Sequence, residues 1–141
     1  MAVHHPAGQL EADLAAYLRS LAAEPFVWGQ RDCFLVVADW IVSRGWPDPA
    51  EPYRGQYRTE RRALRHIVKA GGSLLALVTK RMDAIGIAMT ASPTIGDVAL
   101  VEGINGPTLA LALRGGWAGK AEFGWEIGGP SVIRAWSVPC R

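Results

Sequence analysis

The run Phe34 to Val42 is apolar except for Asp39, and it follows directly on the pair Asp32-Cys33. No other segment constrains the fold as tightly. The run is too short to span a bilayer. Its hydrophobic residues lie nearly all round a helix, which predicts a central helix buried on most sides. Asp32 is the predicted N-cap, since its carboxylate can accept from the orphan N–H groups of the first turn. Gly45 is the predicted stop. Cys33 then stands at the N-terminus of a buried helix, where the helix end favours a thiolate. Asp39 has to face a basic side chain or the helix edge, because a buried carboxylate needs partners.

The chain of 141 residues is long enough for one core and is read as a single domain over residues 1–141. Its net charge of +2 argues against nucleic acid as a partner. A local basic strip (Arg54, Arg58, Arg61, Arg62, Arg65, His66 and Lys69, opposed by Glu60) reads as a solvated helix face. A phosphate-bearing or acidic partner is the sharper alternative for that strip. Cys33 and Cys140 do not have metal-ligand spacing, and His4, His5 and His66 complete no zinc pattern with them, so no metal or cofactor is expected. The first ten residues lack the apolar segment of a secretory signal, which predicts a product made in the cytoplasm with no transmembrane segment.

Leu10, Leu14, Tyr17, Leu18 and Leu21 recur at helical spacing and predict an amphipathic first helix ending near Glu24, before Pro25. Phe26, Val27 and Trp28 form a connector into a turn at Gly29. Residues 46–58 carry three prolines and read as an ordered surface loop. Two further helices are expected, from about Thr59 to Ala70 and from the cap Ser73 to about Ala84. Strands follow at Val98–Val101 and Thr108–Leu113 around the turn pair Asn105-Gly106, then over 117–123 and 131–138. Along 108–113 the leucines face one way and Thr108, Ala110 and Ala112 the other; the small face would let a helix approach closely. Helices first and an antiparallel sheet last make the fold class α+β.

Pro25-Phe26-Val27-Trp28-Gly29, with Asp32-Cys33 opening an apolar helix and Gly96-Asp97 opening a strand, resembles the NlpC-type cell-wall peptidases. The resemblance covers roughly 25–44 and 96–115 and leaves 46–90 outside it. It implies a papain-like fold: N-terminal helices, a buried helix bearing the cysteine, and that helix packed on the C-terminal antiparallel sheet. It also implies Cys33 as nucleophile and peptidoglycan stem peptides as substrate. A narrower group covers more of the chain. Short proteins encoded among the tail genes of phages and prophages are similar to it in Pro25–Gly29, Asp32-Cys33, Arg54-Gly55-Gln56-Tyr57 and Ala135-Trp136. That resemblance implies a virion component of the tail tip or baseplate, made in the bacterial host, with other tail proteins as partners.

Two departures from the peptidase pattern decide between these. The loop before Asp32 is only Gln30-Arg31, and Phe34-Leu35 stand where the peptidases carry Ser-Gly. The peptidases place a base histidine at the start of the second sheet strand; here that place is Pro107-Thr108, and no histidine follows His66. Cysteine hydrolysis needs a thiolate and then a proton donor for the leaving amine, and imidazole serves both. Threonine does not. Asp32 opposes the helix end by disfavouring a second negative charge beside it.

The expectation is therefore a tail-tip structural or assembly protein with a degenerate peptidase fold. Trp28, Asp32 and Thr108 line the would-be cleft and Cys33 is the candidate nucleophile. An active cysteine hydrolase using Cys33 is the alternative. His66 reads as an exposed histidine among arginines, and Trp28 as packing under the cysteine helix, with a cleft wall as the other option. Trp117, Trp125 and Trp136 read as core and rim packing, and Cys140 as a residue of the tail.

Overall fold

The structure, a computed structural model, describes residues 7–141, so His4 and His5 lie outside it. Helix α1 spans Ala7–Ser20, α2 Cys33–Ser43, α3 Glu60–Lys69 and α4 Leu74–Ile85, with one short 3-10 turn at Glu51–Tyr53. The caps follow the sequence. Thr59 and Ser73 accept from the N–H groups of Arg62 and Ala76 at the starts of α3 and α4. Gly86 ends α4 with a left-handed φ of 84°. Helix α1 stops four residues before the predicted Glu24. The Glu24 carbonyl is held by the Lys120 ammonium at 2.7 Å and the Gly124 N–H at 3.1 Å, which pulls the chain out of helical register. No helix among the described residues is long and apolar enough to cross a membrane.

Six antiparallel strands follow: β1 Met89–Thr90, β2 Val98–Gly103, β3 Gly106–Leu113, β4 Gly116–Lys120, β5 Trp125–Gly128 and β6 Val132–Trp136. Their order across the sheet is β1-β6-β2-β3-β4-β5. Two strands more form than the alternation predicts. The two-residue β1 is too short to carry a pattern, and β5 has only one half-buried residue, Trp125, followed by three exposed ones. The strand expected over 117–123 ends at Lys120, whose ammonium turns in to three backbone carbonyls.

Helix α2 lies on β3. It buries Phe34, Leu35, Val36, Val37, Ala38, Trp40 and Ile41 in one cluster with Val98, Leu100, Leu109, Leu111 and Trp136. The face of the sheet that meets the helix is thus the leucine face. The expectation that the small face admits a helix is corrected: Ala99, Val101, Ala110 and Ala135 form a separate small cluster with Trp117. Branched side chains on β2 and β3 remove more apolar area from water against α2 than alanines would.

The Gly96-Asp97 pair joins helices to sheet. Gly96 has φ 85°, and a Cβ there would sit 3.0 Å from Leu10 Cδ1 and 3.4 Å from the Trp40 ring. Its carbonyl accepts from Trp40 Nε1 at 2.8 Å. The buried Asp97 carboxylate accepts from the Val138 N–H at 2.9 Å and the Thr94 N–H at 2.8 Å, tying the C-terminal segment to the start of β2. Asp97→Ala leaves those donors unpaired and is expected to lower unfolding free energy by about 2–3 kcal/mol in urea titrations. A loss under about 0.5 kcal/mol, the range of ordinary surface substitutions, would contradict this account.

Candidate cysteine cleft

Residues 25–33 fold as a tight turn. The Val27 carbonyl accepts from the N–H groups of Gln30 (3.0 Å) and Arg31 (2.8 Å), which closes the loop with only two residues between Gly29 and Asp32. Gly29 takes φ 80°. A Cβ at Gly29 would fall 2.0 Å from the Tyr57 carbonyl oxygen, so only glycine admits the chain that crosses it.

Asp32 caps α2 as its sequence position predicts. One oxygen accepts from the N–H groups of Phe34 at 3.1 Å and Leu35 at 3.0 Å. The other accepts from the Gly29 N–H at 3.0 Å and from the Tyr57 hydroxyl at 2.5 Å. Burial, and then the charge of Asp32, push the Tyr57 phenol well above its ordinary value. Arg54-Gly55-Gln56-Tyr57 is therefore a strap across the nucleophile turn. The Gly55 N–H donates to the Gly29 carbonyl at 3.0 Å. Arg54 grips Asp48 at 2.6 Å and Asp39 at 2.7 Å, which gives Asp39 the basic partner its position on α2 demands. Burial still raises the Asp39 carboxyl above its usual range, against the Arg54 charge that lowers it.

Cys33 opens α2 and is half-buried. Burial pushes its thiol up, and the Asp32 charge adds to that. The Leu109 N–H and the Thr108 hydroxyl hydrogen-bond to the sulfur and pull the other way without prevailing. The predicted advantage of the helix end is overcome by desolvation. Thr108 does not line the cleft as expected: it is among the residues that act on the thiol, but it borders a different cavity, with Val101, Ala110 and Trp117. No histidine is among the groups that perturb the thiol.

The thiol lies on the wall of a cavity of about 400 Å³, with Asp32, Trp28, Tyr53, Tyr57, Asn105 and Pro107 around it. Trp28 forms the wall rather than the underside of α2. It stacks edge-on with Phe26 at 4.7 Å and Tyr57 at 6.5 Å between ring centroids. His66 corrects a second expectation: it is half-buried on the far wall of the same cavity, not exposed among arginines. Its ring lies 5.7 Å from the rings of both Tyr53 and Tyr57. The signal was in α3 itself. His66 borders the apolar stripe Ala63, Ile67 and Ala70, whereas Arg61, Arg62, Arg65 and Lys69 fall on the opposite, exposed face. Cys140 is exposed near the C-terminus and forms no disulfide with Cys33. Among the described residues no cluster of His, Cys, Asp and Glu is arranged to hold a metal ion.

The chemistry available is that of a neutral thiol beside a hydroxyl and an amide, in an aromatic-walled cavity. Tyr57→Phe is expected to cost about 1.5–3 kcal/mol, because the lost bond goes to a charged acceptor. Asp32→Asn should cost at least as much, since an amide cannot accept at both oxygen positions. Urea unfolding of the two variants checks both, and wild-type stability in either would contradict the strap.

Comparison with known proteins gives one result. No curated protein and no solved structure matches the chain. A family model described as a domain of unknown function, DUF6950, matches residues 7–138. The chain, from its first described helix to the end of its sheet, belongs to that family.

Proposed function

We propose that this protein is a tail-tip or baseplate component of a phage or prophage, a structural or assembly protein on a single papain-like, NlpC-type domain. In this reading the cysteine cleft holds a partner and no longer cuts one. The observation that carries it is the company of the sulfur: burial pushes the thiol up, and the side chain that hydrogen-bonds to it is Thr108, with no histidine among the groups that act on it. The residues behind the resemblance also support it by forming two contact sets. Gly29 and Asp32 of the nucleophile turn are bound by Gly55 and Tyr57 of the Arg-Gly-x-Tyr stretch. Gly96-Asp97 leads into β2, which pairs with the β6 strand carrying Ala135-Trp136.

The test uses purified protein with isolated sacculi and with the purified products of neighbouring tail genes. The expected result is a stable complex with a tail protein and intact peptidoglycan. Release of stem peptides that disappears in Cys33→Ala would overturn the reading. A second experiment addresses the position of Thr108. Thr108→His returns an imidazole to the sulfur and should speed iodoacetamide labelling of Cys33 at neutral pH by about tenfold or more. An unchanged rate would mean that Thr108 does not occupy the base position.

One observation favours the second reading, an active cysteine hydrolase acting on peptidoglycan. His66 and Cys33 line the same cavity, so an imidazole is present there, though from a helix that the peptidases do not use for it. This reading requires His66→Ala and Cys33→Ala to abolish peptide release equally.

A further inference from the structure

Helix α3 is attached to the rest of the fold in an unusual way. Its only fully buried residue is Ala63. Among the described residues, no side-chain hydrogen bond or ion pair ties it to another element; its side-chain bond is its own Thr59 cap. Arg61, Arg62, Arg65 and Lys69 point to solvent and anchor nothing. What holds α3 down is apolar: Ile67 packs on the main core, and His66 sits edge-on against Tyr53 and tilted against Tyr57.

The inner side of α3 does not rest on dense core. Glu60, Ala63, Leu64, His66 and Ile67 form one wall of the Cys33 cavity, and Leu64 remains 50% exposed. The helix ends at Gly71-Gly72, with φ of 125° and 90°. A Cβ at Gly72 would meet nothing within 4 Å, whereas one at Gly71 would sit 3.0 Å from the Ala76 Cβ. Few buried contacts and a glycine pair at one end mark a segment that opens locally at low cost.

We propose that α3 is a lid on the Cys33 cavity, latched by His66 between the two tyrosines and by Ile67, and that its opening sets how fast a ligand reaches the sulfur. The proposal rests on the reading of this cleft as the place where a partner is held. It gives the α3 part of the basic strip, Arg61, Arg62, Arg65 and Lys69, a role: a solvated outer face lets the lid lift without exposing apolar surface on that side.

Hydrogen exchange and maleimide labelling of the full chain test it together. Amides of α3 should exchange about tenfold or more faster than those of α2, through local opening. Ile67→Ala and His66→Ala should each accelerate N-ethylmaleimide labelling of Cys33 by about tenfold, with labelling of Cys140 and exchange in α2 unchanged. The lid is overturned if wild-type α3 is protected as well as α2, or if neither substitution changes the Cys33 rate. Should a variant lose protection in α2 and so prove unfolded, the wild-type exchange pattern decides alone. The probe is a small maleimide, so failure to find a tail partner would bear on the function proposed above and not on the lid.

Discussion

Everything about the cleft depends on one carboxylate. Asp32 accepts four hydrogen bonds, from three backbone N–H groups and one phenol, and they serve three structural commitments. The Phe34 and Leu35 amides start α2. The Gly29 amide closes the turn that aims the chain into it. The Tyr57 hydroxyl brings in the strap after the proline-rich loop. A buried charge left short of partners costs more than the bonds it makes in excess, so the four are held as a set. That set fixes where the sulfur of Cys33 stands. It also fixes the electrostatics there, because the cap that starts the helix is a negative charge beside the thiol.

A cap and a nucleophile compete in this arrangement. The positive end of a helix favours a thiolate only while it is unsatisfied and near water. Here burial disfavours the thiolate most, and the Asp32 carboxylate that occupies that end adds to it. What remains on the wall of the aromatic cavity is the thiol; Thr108, which hydrogen-bonds to it, lines a separate cavity with Val101, Ala110 and Trp117. Trp28, Tyr53 and Tyr57 give the thiol's cavity flat apolar area with polar edges. The imidazole across the cavity is held by tyrosine rings and not by the sulfur.

Much of the fold was legible because the signals were local. Asp32, Thr59 and Ser73 cap the helices their sequence neighbours begin, and the apolar run after Cys33 is the buried helix. Asp39 found the arginine it needed. The losses have a common cause, contacts between residues far apart in sequence. Lys120 shortens both α1 and β4 by capturing carbonyls from Glu24 and Gly124. Tyr57 reaches Asp32 across 25 positions. The alternation in β3 identified two faces but not which one meets α2, since both are buried and only volume distinguishes them. In the cleft, Cys33, Asp32 and Trp28 were found from motif position and Thr108 was misplaced there, whereas His66 was set aside because its charged neighbours hid the stripe it borders.

The central claim is that the thiol of Cys33 is neutral where life is lived, near neutral pH, for want of a base. Thiolate absorbance in the ultraviolet, recorded across pH as the difference between wild type and Cys33→Ser, measures this directly. The account predicts a single titration above the ordinary thiol value of about 8.5, insensitive to His66→Ala. Thiolate present at neutral pH and lost on removing His66 would mean an ion pair in the cleft, and the reading of a binding site without catalysis would be wrong.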